Sequence, residues 1–304
     1  MQKRHLVGVA LAAGALILAG CGTGSSDGAG KSEHGIVNIS GQNFPEAQIM
    51  AEIYATVLRA NGYTPSVKLV DTRNVYMQTF PKSIDVVPEY VSGIVDFLMQ
   101  QDDPKAKLPT SSDPATVIAD GQPQLDKAGI TLLDPSPAAD ANAFFVTLKY
   151  SQANNVTTLS DLKGKSVVLA AAPDCKGRLD CAGGLEDDYG IKITKILPLG
   201  FASQQTYNSV KTNESQLGET STTDPNAAHE NLVILTDDKH IQPAQNLVPA
   251  IGSDFLKANP EVAGILNKVM AEMTTRALTQ LNFDVTVNRQ SPAVVAQDWV
   301  QGNR

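Results

Sequence analysis

Beyond residue 35, short runs of apolar and β-branched residues alternate with longer segments that have helical periodicity. Nine of these runs have the length and composition of β-strands. They cover residues 36–40, 67–70, 84–87, 130–133, 144–148, 166–171, 193–197, 232–235 and 246–251. Such an alternation predicts an α/β protein with largely parallel sheets.

Residues 45–61 carry the clearest helical pattern. Pro45 suits the first turn of a helix and Gly62 is placed to end it, while Ile49, Ile53 and Val57 recur on one face. This helix follows directly on the first predicted strand. Because a strand-to-helix turn presents free backbone N–H groups, it is a common ligand-binding place in α/β proteins.

Two further helices are predicted near the C-terminus. One extends over residues 260–281, and Ser291 is a plausible N-cap for the last, which continues to Trp299. We interpret Trp299 as a packing anchor of that last helix because valines surround it in the sequence. The irregular segment 135–140 is the candidate crossing between two halves of the chain.

The first 21 residues have the pattern of a bacterial lipoprotein signal. Lys3 and Arg4 precede an apolar run over residues 6–18, and small residues lead to Cys21. The run is too short to cross a bilayer, which needs about 20 residues. We expect residues 1–20 to be removed, Cys21 to carry lipid, and residues 21–35, rich in Gly and Ser, to form a tether. The alternative is a buried N-terminal helix with a chance cysteine.

Composition narrows the class of protein. A chain of 304 residues with 42% hydrophobic residues can bury a large core, in one large or two modest domains. Its net charge of −8 argues against nucleic acid or an anionic lipid surface as a partner. The expected membrane attachment therefore depends on the lipid of Cys21 and places the protein on the extracytoplasmic face of the cell membrane.

The other two cysteines, Cys175 and Cys181, lie six positions apart in a chain expected to be exported. Disulfides persist in such an oxidising setting, so we expect the two to be bridged, which would stabilise the fold by about 2 kcal/mol. Free thiols and a metal-binding pair are the alternatives, although no histidine lies near enough in the sequence to support a metal.

Catalytic and metal-binding motifs are lacking in the sequence. Beyond the tether only His229 and His240 remain, and no spacing typical of metal ligands occurs. The acidic group at 186–188 is interpreted as a solvated helix face. We therefore expect a binding protein rather than an enzyme, with no cofactor and no metal.

Several local motifs resemble one family, the substrate-binding proteins of osmoprotectant ABC importers of the glycine betaine, carnitine and choline type. The motifs are SGQNF at 40–44, IDVVPEY at 84–90, DPSP at 134–137, Arg178 with Asp180, GGL at 183–185, STTD at 221–224, LVILTDDKH at 232–240 and the tail through 278–283. The resemblance covers residues 36–301 in the family's order.

The resemblance implies a two-lobed periplasmic-binding-protein fold, of type II-like form, with the ligand in the cleft between the lobes. Lobe I would comprise residues 35–139 and 244–304, and lobe II residues 140–243. The implied function is that of a solute receptor, expected to be a monomer, which closes over a small molecule and delivers it to an ABC permease.

The resemblance also implies a set of ligand-binding residues. Relatives hold a quaternary ammonium group in a cage of four tyrosines, to which cation–π attraction contributes. Only Tyr90 matches that cage here. Its other positions fall on Asn142, Ser221 and Gln245, and Gln42 replaces the usual lysine of the first motif. Arg178 matches the arginine that meets the ligand's carboxylate, and Asn43, Ser92 and Thr222 complete the predicted set.

Three of the four cage positions are not tyrosine in this chain, and this changes the ligand chemistry that the site can recognise. Asn142, Ser221 and Gln245 offer hydrogen-bonding groups, which are costly when buried without a partner. We therefore expect a ligand with hydroxyl or other polar groups, with Tyr90 stacked against it. The rival hypotheses are a sensor or interaction lipoprotein and a cleft hydrolase that uses Glu89 or Asp85 as acid or base.

Overall fold

A computed structural model describes residues 34–227 and 229–302 of the chain. The predicted signal, Cys21 and the tether up to residue 33 lie outside the described residues. Across the described ranges, no helix is both long enough and apolar enough to cross a membrane.

Ten strands and eleven α-helices make up the described fold. The strands are β1 (Ile36–Ile39), β2 (Thr64–Val67), β3 (Val86–Tyr90), β4 (Ile130–Leu132), β5 (Asn142–Thr147), β6 (Ser166–Ala171), β7 (Lys192–Pro198), β8 (Leu217–Ser221), β9 (Leu232–Leu235) and β10 (Leu247–Gly252). The helices are α1 (Pro45–Ala60), α2 (Arg73–Tyr76), α3 (Val91–Asp102), α4 (Pro114–Ala128), α5 (Leu148–Asn154), α6 (Ala182–Asp187), α7 (Gln204–Lys211), α8 (Ser253–Ala258), α9 (Glu261–Glu272), α10 (Thr275–Thr286) and α11 (Pro292–Gly302).

The strands form two separate five-stranded sheets. The first has the order β2-β1-β3-β10-β4 and the second the order β7-β6-β8-β5-β9. We call each sheet, with the helices packed on it, a lobe. The chain passes from the first lobe to the second between β4 and β5, and returns between β9 and β10. The lobe limits 35–139, 140–243 and 244–304 remain a prediction.

Both sheets are mixed, which corrects the expectation of largely parallel sheets. In the first sheet, β1 is parallel to β2 and β3, whereas β10 is antiparallel to β3 and β4. In the second, β6 is parallel to β7 and β8, whereas β5 is antiparallel to β8 and β9. The antiparallel pairs arise where the chain enters a lobe from the other one, because β5 and β10 each follow directly on a crossing.

Helices cover both faces of the first sheet. On one face α1, α9, α10 and α11 bury a large apolar cluster. On the other face α3 and α4 pack together over a second cluster. The predicted helix at 45–61 is present as α1, with Ile49 and Ile53 fully buried. It ends before Gly62, whose φ of 86° lies in the left-handed region that favours glycine.

Three elements differ from the sequence-based prediction. The helix predicted at 260–281 is two helices, α9 and α10, because Thr274 caps α10 by accepting a hydrogen bond from the Ala277 N–H. β2 precedes its predicted position. β8 was missed altogether because its sequence LGETS has a polar composition, although Glu219 within it is fully buried.

Candidate functional site

The two chain crossings lie side by side between the lobes. Ala139 forms an isolated β-bridge with Asn246, and the Asp140 N–H donates to the Gln245 carbonyl at 3.0 Å. The Thr222 hydroxyl, just after β8, donates to the Ala139 carbonyl at 2.5 Å and accepts from the Ala141 N–H at 3.1 Å. These bonds fix the end of β8 against the first crossing.

Tyr90 lies at the end of β3, opposite Leu247 of β10 and directly before α3. Its ring is half-buried, and its hydroxyl donates to Glu46 Oε1 at 2.5 Å. Glu46 is in the first turn of α1, which follows β1, and it is 4% exposed. Since β1 and β3 are parallel neighbours, their C-terminal ends bring these two side chains together at one edge of the first sheet.

Polar contacts continue from Glu46 to the second lobe. Asn282 of α10 donates from Nδ2 to Glu46 Oε2 at 2.5 Å, and the same nitrogen is 3.5 Å from the Thr223 carbonyl. The Thr223 hydroxyl donates to Asp140 Oδ1 at 2.8 Å and lies 3.3 Å from the Ser221 hydroxyl. Glu46, Tyr90, Asn282, Thr223 and Asp140 thus form one network between the lobes, which we call the interlobe network.

Burial and mutual repulsion dominate the electrostatics of this network. Burial raises the pKa of the Glu46 carboxyl to about 7, the charge of Asp140 adds to the increase, and hydrogen bonds from Tyr90 and Asn282 oppose it. Burial also raises the pKa of Asp140, against hydrogen bonds from Thr223 and Ser221. Among residues 34–227 and 229–302, no lysine or arginine forms an ion pair with Glu46 or Asp140.

A second polar cluster lies in the second lobe around Arg178. Its Nε and Nη2 donate to the two oxygens of Asp180 at 2.9 and 2.6 Å, and Nη1 is 3.3 Å from Asp174 Oδ2. Asp180 also accepts from Asn142 Nδ2 at 2.8 Å. The structure therefore brings Arg178 and Asn142 together through Asp180, at the start of β5.

A disulfide and a glycine shape the loop that carries Arg178. Cys175 and Cys181 are bonded, which confirms the predicted bridge and leaves neither sulfur free to bind a metal. Gly184 of α6 permits the close packing of this loop, because a Cβ atom there would lie 2.0 Å from the Leu179 carbonyl oxygen.

A cavity of about 570 Å³ extends along the two crossings. Three of the predicted ligand-binding residues, Asn142, Thr222 and Gln245, line it. A smaller groove of about 350 Å³ lies between α9, α11 and the C-terminal end of α1, the end opposite to Glu46.

Comparison with known proteins identifies the family. Residues 35–302 match the family model described as the substrate binding domain of ABC-type glycine betaine transport systems. The chain belongs to this family. Its members are solute-binding proteins of transporters, which confirms the predictions of an osmoprotectant importer's substrate-binding protein and of a chain that is not an enzyme.

Individual relatives are distant but cover most of the chain. A glycine-betaine-binding protein of Pseudomonas aeruginosa is 25% identical over 287 residues, 90% of this chain and 89% of its own length. The glycine betaine-binding protein YehZ of Escherichia coli is 24% identical over 84% of this chain and 87% of its own length.

Solved structures confirm the two-lobed fold. A glycine betaine/carnitine/choline ABC transporter structure superimposes with a TM-score of 0.76 at 20% identity, over 88% of this chain and 97% of its own. Apo YehZ from Escherichia coli superimposes with a TM-score of 0.73 at 22% identity, over 88% of this chain and 98% of its own.

The remaining predicted residues, Gln42, Asn43 and Ser92, form other contacts and do not join the network. Gln42 forms an isolated bridge with Val70, and the exposed Asn43 accepts a hydrogen bond from Gln48. Ser92 is fully buried, its N–H donates to the Ala244 carbonyl of the second crossing, and its hydroxyl oxygen has no partner. The roles of all nine predicted residues in ligand binding remain predictions.

The two carboxylates considered for a hydrolase have structural partners. Glu89 is 1% exposed and accepts two hydrogen bonds from Arg73, both at 2.8 Å. Asp85 accepts from the backbone N–H of Asn38 at 2.7 Å, which ties β1 to the segment before β3. Both carboxylates thus hold structural elements together, and the family is one of solute-binding proteins.

Sequence reasoning missed Glu46, Asp140, Asn282 and Thr223. Glu46 and Asn282 are 236 positions apart, so no local pattern connects them. A usable signal was present at Glu46, because it lies in the first turn of the helix that follows the first strand, where a ligand was already expected.

The Glu46→Gln substitution tests the assigned electrostatics. Because the pKa of Glu46 is higher in the folded than in the unfolded state, the proton on its carboxyl stabilises the fold. This contribution is fully present below pH 4.5 and is lost as the pH rises through about 7. Each pKa unit corresponds to about 1.4 kcal/mol, so the loss is roughly 3 kcal/mol. Urea unfolding at pH 5 and pH 8 should show a smaller pH dependence in Glu46→Gln than in the wild type.

Glu52→Gln on the same helix is the matched control for this measurement, since the side chain of Glu52 is only half-buried. It should keep the wild-type pH dependence. An unchanged pH dependence in Glu46→Gln would contradict the assignment.

Proposed function

We propose that this protein captures a small polar solute between its two lobes and delivers it to an ABC permease from a lipid anchor on the extracytoplasmic face of the membrane. The observation that carries the proposal is the interlobe network, which places groups of α1, β3 and α10 against the end of β8. A solute bound there would contact both lobes at once.

Lobe closure is the proposed mode of capture. In the described part of the chain two crossings connect the sheets, and they lie side by side, an arrangement suited to hinge motion. A solute that binds both lobes stabilises the closed state by its additional contacts there. The ABC permease would then recognise the closed form of the protein.

The proposed solute carries groups that form hydrogen bonds. Relatives are named for glycine betaine and carnitine, and the sequence resemblance implies an aromatic cage for a quaternary ammonium group. In this chain Tyr90 is the one aromatic residue at the matching positions, while Asn142, Ser221 and Gln245 are polar and half-buried. A ligand with hydroxyl, amine or carboxylate groups would satisfy these side chains, with Arg178 available to a carboxylate if Asp180 releases it.

Lipid anchoring is proposed from the sequence of the first 21 residues. The apolar run, the small residues before Cys21 and the Gly- and Ser-rich segment after it are the features that support it. Several acyl chains on one cysteine would hold the protein at the membrane, since each buried CH₂ contributes about 0.8 kcal/mol. We propose that the protein acts there as a monomer.

A thermal-shift screen tests the proposed solute capture. The purified protein should be stabilised by at least one of the betaines, amines, polyols, sugars or amino acids, by about 2.7 kcal/mol at one hundred times the Kd. Tyr90→Ala should weaken that binding about tenfold or more, and Tyr90→Phe, which keeps the ring, should weaken it less. The control is Phe201→Ala, which removes an aromatic ring that is 45% exposed in the second lobe. Unchanged binding by Tyr90→Ala would exclude the interlobe site.

Membrane attachment is tested separately with Cys21→Ser in a bacterial host. We expect the wild type to partition into detergent and to incorporate labelled fatty acid, because Cys21 carries the acyl chains. Cys21→Ser should lose both properties, and Ser25→Ala in the proposed tether should keep them. Detergent partition by Cys21→Ser equal to that of the wild type would refute the lipid anchor.

A further inference from the structure

The interlobe network contains more hydrogen-bond acceptors than donors. Glu46 and Asp140 together present four carboxylate oxygens, and the donors are the hydroxyls of Tyr90, Thr223 and Ser221 and the Nδ2 group of Asn282. Arg73, which contacts β3 at Glu89, forms a bidentate pair with that carboxylate. The network therefore has negative charge between the lobes without an internal counter-ion among the described residues.

Asn282 provides an independent sign that a donor is missing. The residue is 6% exposed, and its Oδ1 atom has no hydrogen-bond partner. The bond from Nδ2 to Glu46 fixes which atom of the amide faces the carboxylate, so the free atom of the same amide group is the oxygen. A buried acceptor without a donor destabilises the fold, and a donor supplied by a bound solute would remove that cost.

The chemistry of these acceptors distinguishes between two kinds of cation. A quaternary ammonium group carries positive charge but no N–H, so it can neutralise a carboxylate yet cannot donate to the Asn282 oxygen. A protonated primary or secondary amine has the same charge and two or three N–H donors. Hydrogen bonds between charged groups are about twice as strong as neutral ones, which favours the N–H cation here.

On the basis of the proposed function, we propose that the interlobe network is a subsite for a protonated amine that bears N–H groups. The amine donates to Glu46, Asp140 and the free oxygen of Asn282, and the ring of Tyr90 packs against the carbon atoms beside the nitrogen. Glu46 and Asn282 belong to the first lobe, and Asp140 lies on the first crossing. The same cation thus connects the first lobe to the hinge when the lobes close.

Two series of probes that differ only in N-methylation test this subsite. One series is glycine, sarcosine, dimethylglycine and glycine betaine, and the other is ethanolamine with its methylated forms up to choline. The affinities are measured by titration calorimetry at pH 8. At this pH the amines are protonated, and Glu46 is ionised because the pH is above its pKa of about 7. In at least one series, we expect the primary or secondary amine to bind at least tenfold more tightly than the quaternary member.

Variants connect that preference to the named residues. Glu46→Gln and Asp140→Asn should each lower the affinity for the preferred amine at least tenfold, and should lower the affinity for the quaternary member by a smaller factor, because that member loses the attraction of the charge but no hydrogen bond. Glu52→Gln, the control on α1, should leave both affinities unchanged. Because the two substitutions lie at separate positions, the test remains valid if one variant misfolds. Unfolding temperatures identify a variant that has lost its fold.

The results separate this subsite from the proposed function. Equal or tighter binding of the quaternary members would overturn the subsite, as would amine binding that neither Glu46→Gln nor Asp140→Asn weakens, or a lack of binding by every N–H member. In each case a Tyr90-dependent solute from the wider screen would leave the proposed solute capture intact. If no solute of the wider screen binds, the proposed function fails as well.

Discussion

Two carboxyl groups between the lobes, the buried Glu46 and the half-buried Asp140, have no basic partner among the described residues, and this is the constraint on which the site depends. Removing a carboxylate from water costs several kcal/mol unless hydrogen bonds or an opposite charge compensate. Here the compensation is partial: Glu46 accepts from Tyr90 and Asn282, Asp140 accepts from Thr223, and each carboxyl repels the other. The folded chain tolerates this cost at the place where a charged solute would relieve it.

The surrounding fold provides the positions of these groups. The parallel pairing of β1 and β3 places the start of α1 beside the end of β3, and thus Glu46 beside Tyr90. The packing of α10 on α1 brings Asn282 to the same carboxylate. The antiparallel pairing of β5 with β8 places Thr223 near Asp140. Each contact therefore follows from sheet order and helix packing, and a function built on these residues requires both lobes.

Much of the fold was predictable from the sequence, because strands and helices depend on local patterns. The apolar periodicity of residues 45–61 predicted α1, and the close spacing of Cys175 and Cys181 predicted their bond. β8 escaped prediction because a central strand with a buried glutamate lacks the apolar signal. The site was predicted only where it follows a family motif, as at Tyr90. Asn282 could not be found in this way, since its contact with Glu46 depends on the packing of distant helices.

Family membership and ligand chemistry are separate properties of this protein. The two-lobed architecture is common to solved structures that are 20% and 22% identical to this chain, while Asn142, Ser221 and Gln245 lie at positions where the resemblance implies tyrosines. A two-lobed binding fold can accept new ligands through a few substitutions, provided that each buried polar group finds a partner in the bound state.

A crystal structure of the protein with its tightest-binding amine would show whether the interlobe network holds the amine. We expect the amine nitrogen within about 3.2 Å of oxygen atoms of both Glu46 and Asp140, with Asn282 Oδ1 accepting an N–H and the ring of Tyr90 against the solute. A solute found instead in the cavity along the crossings, with the network of Glu46, Tyr90 and Asn282 unchanged and uncontacted, would contradict it.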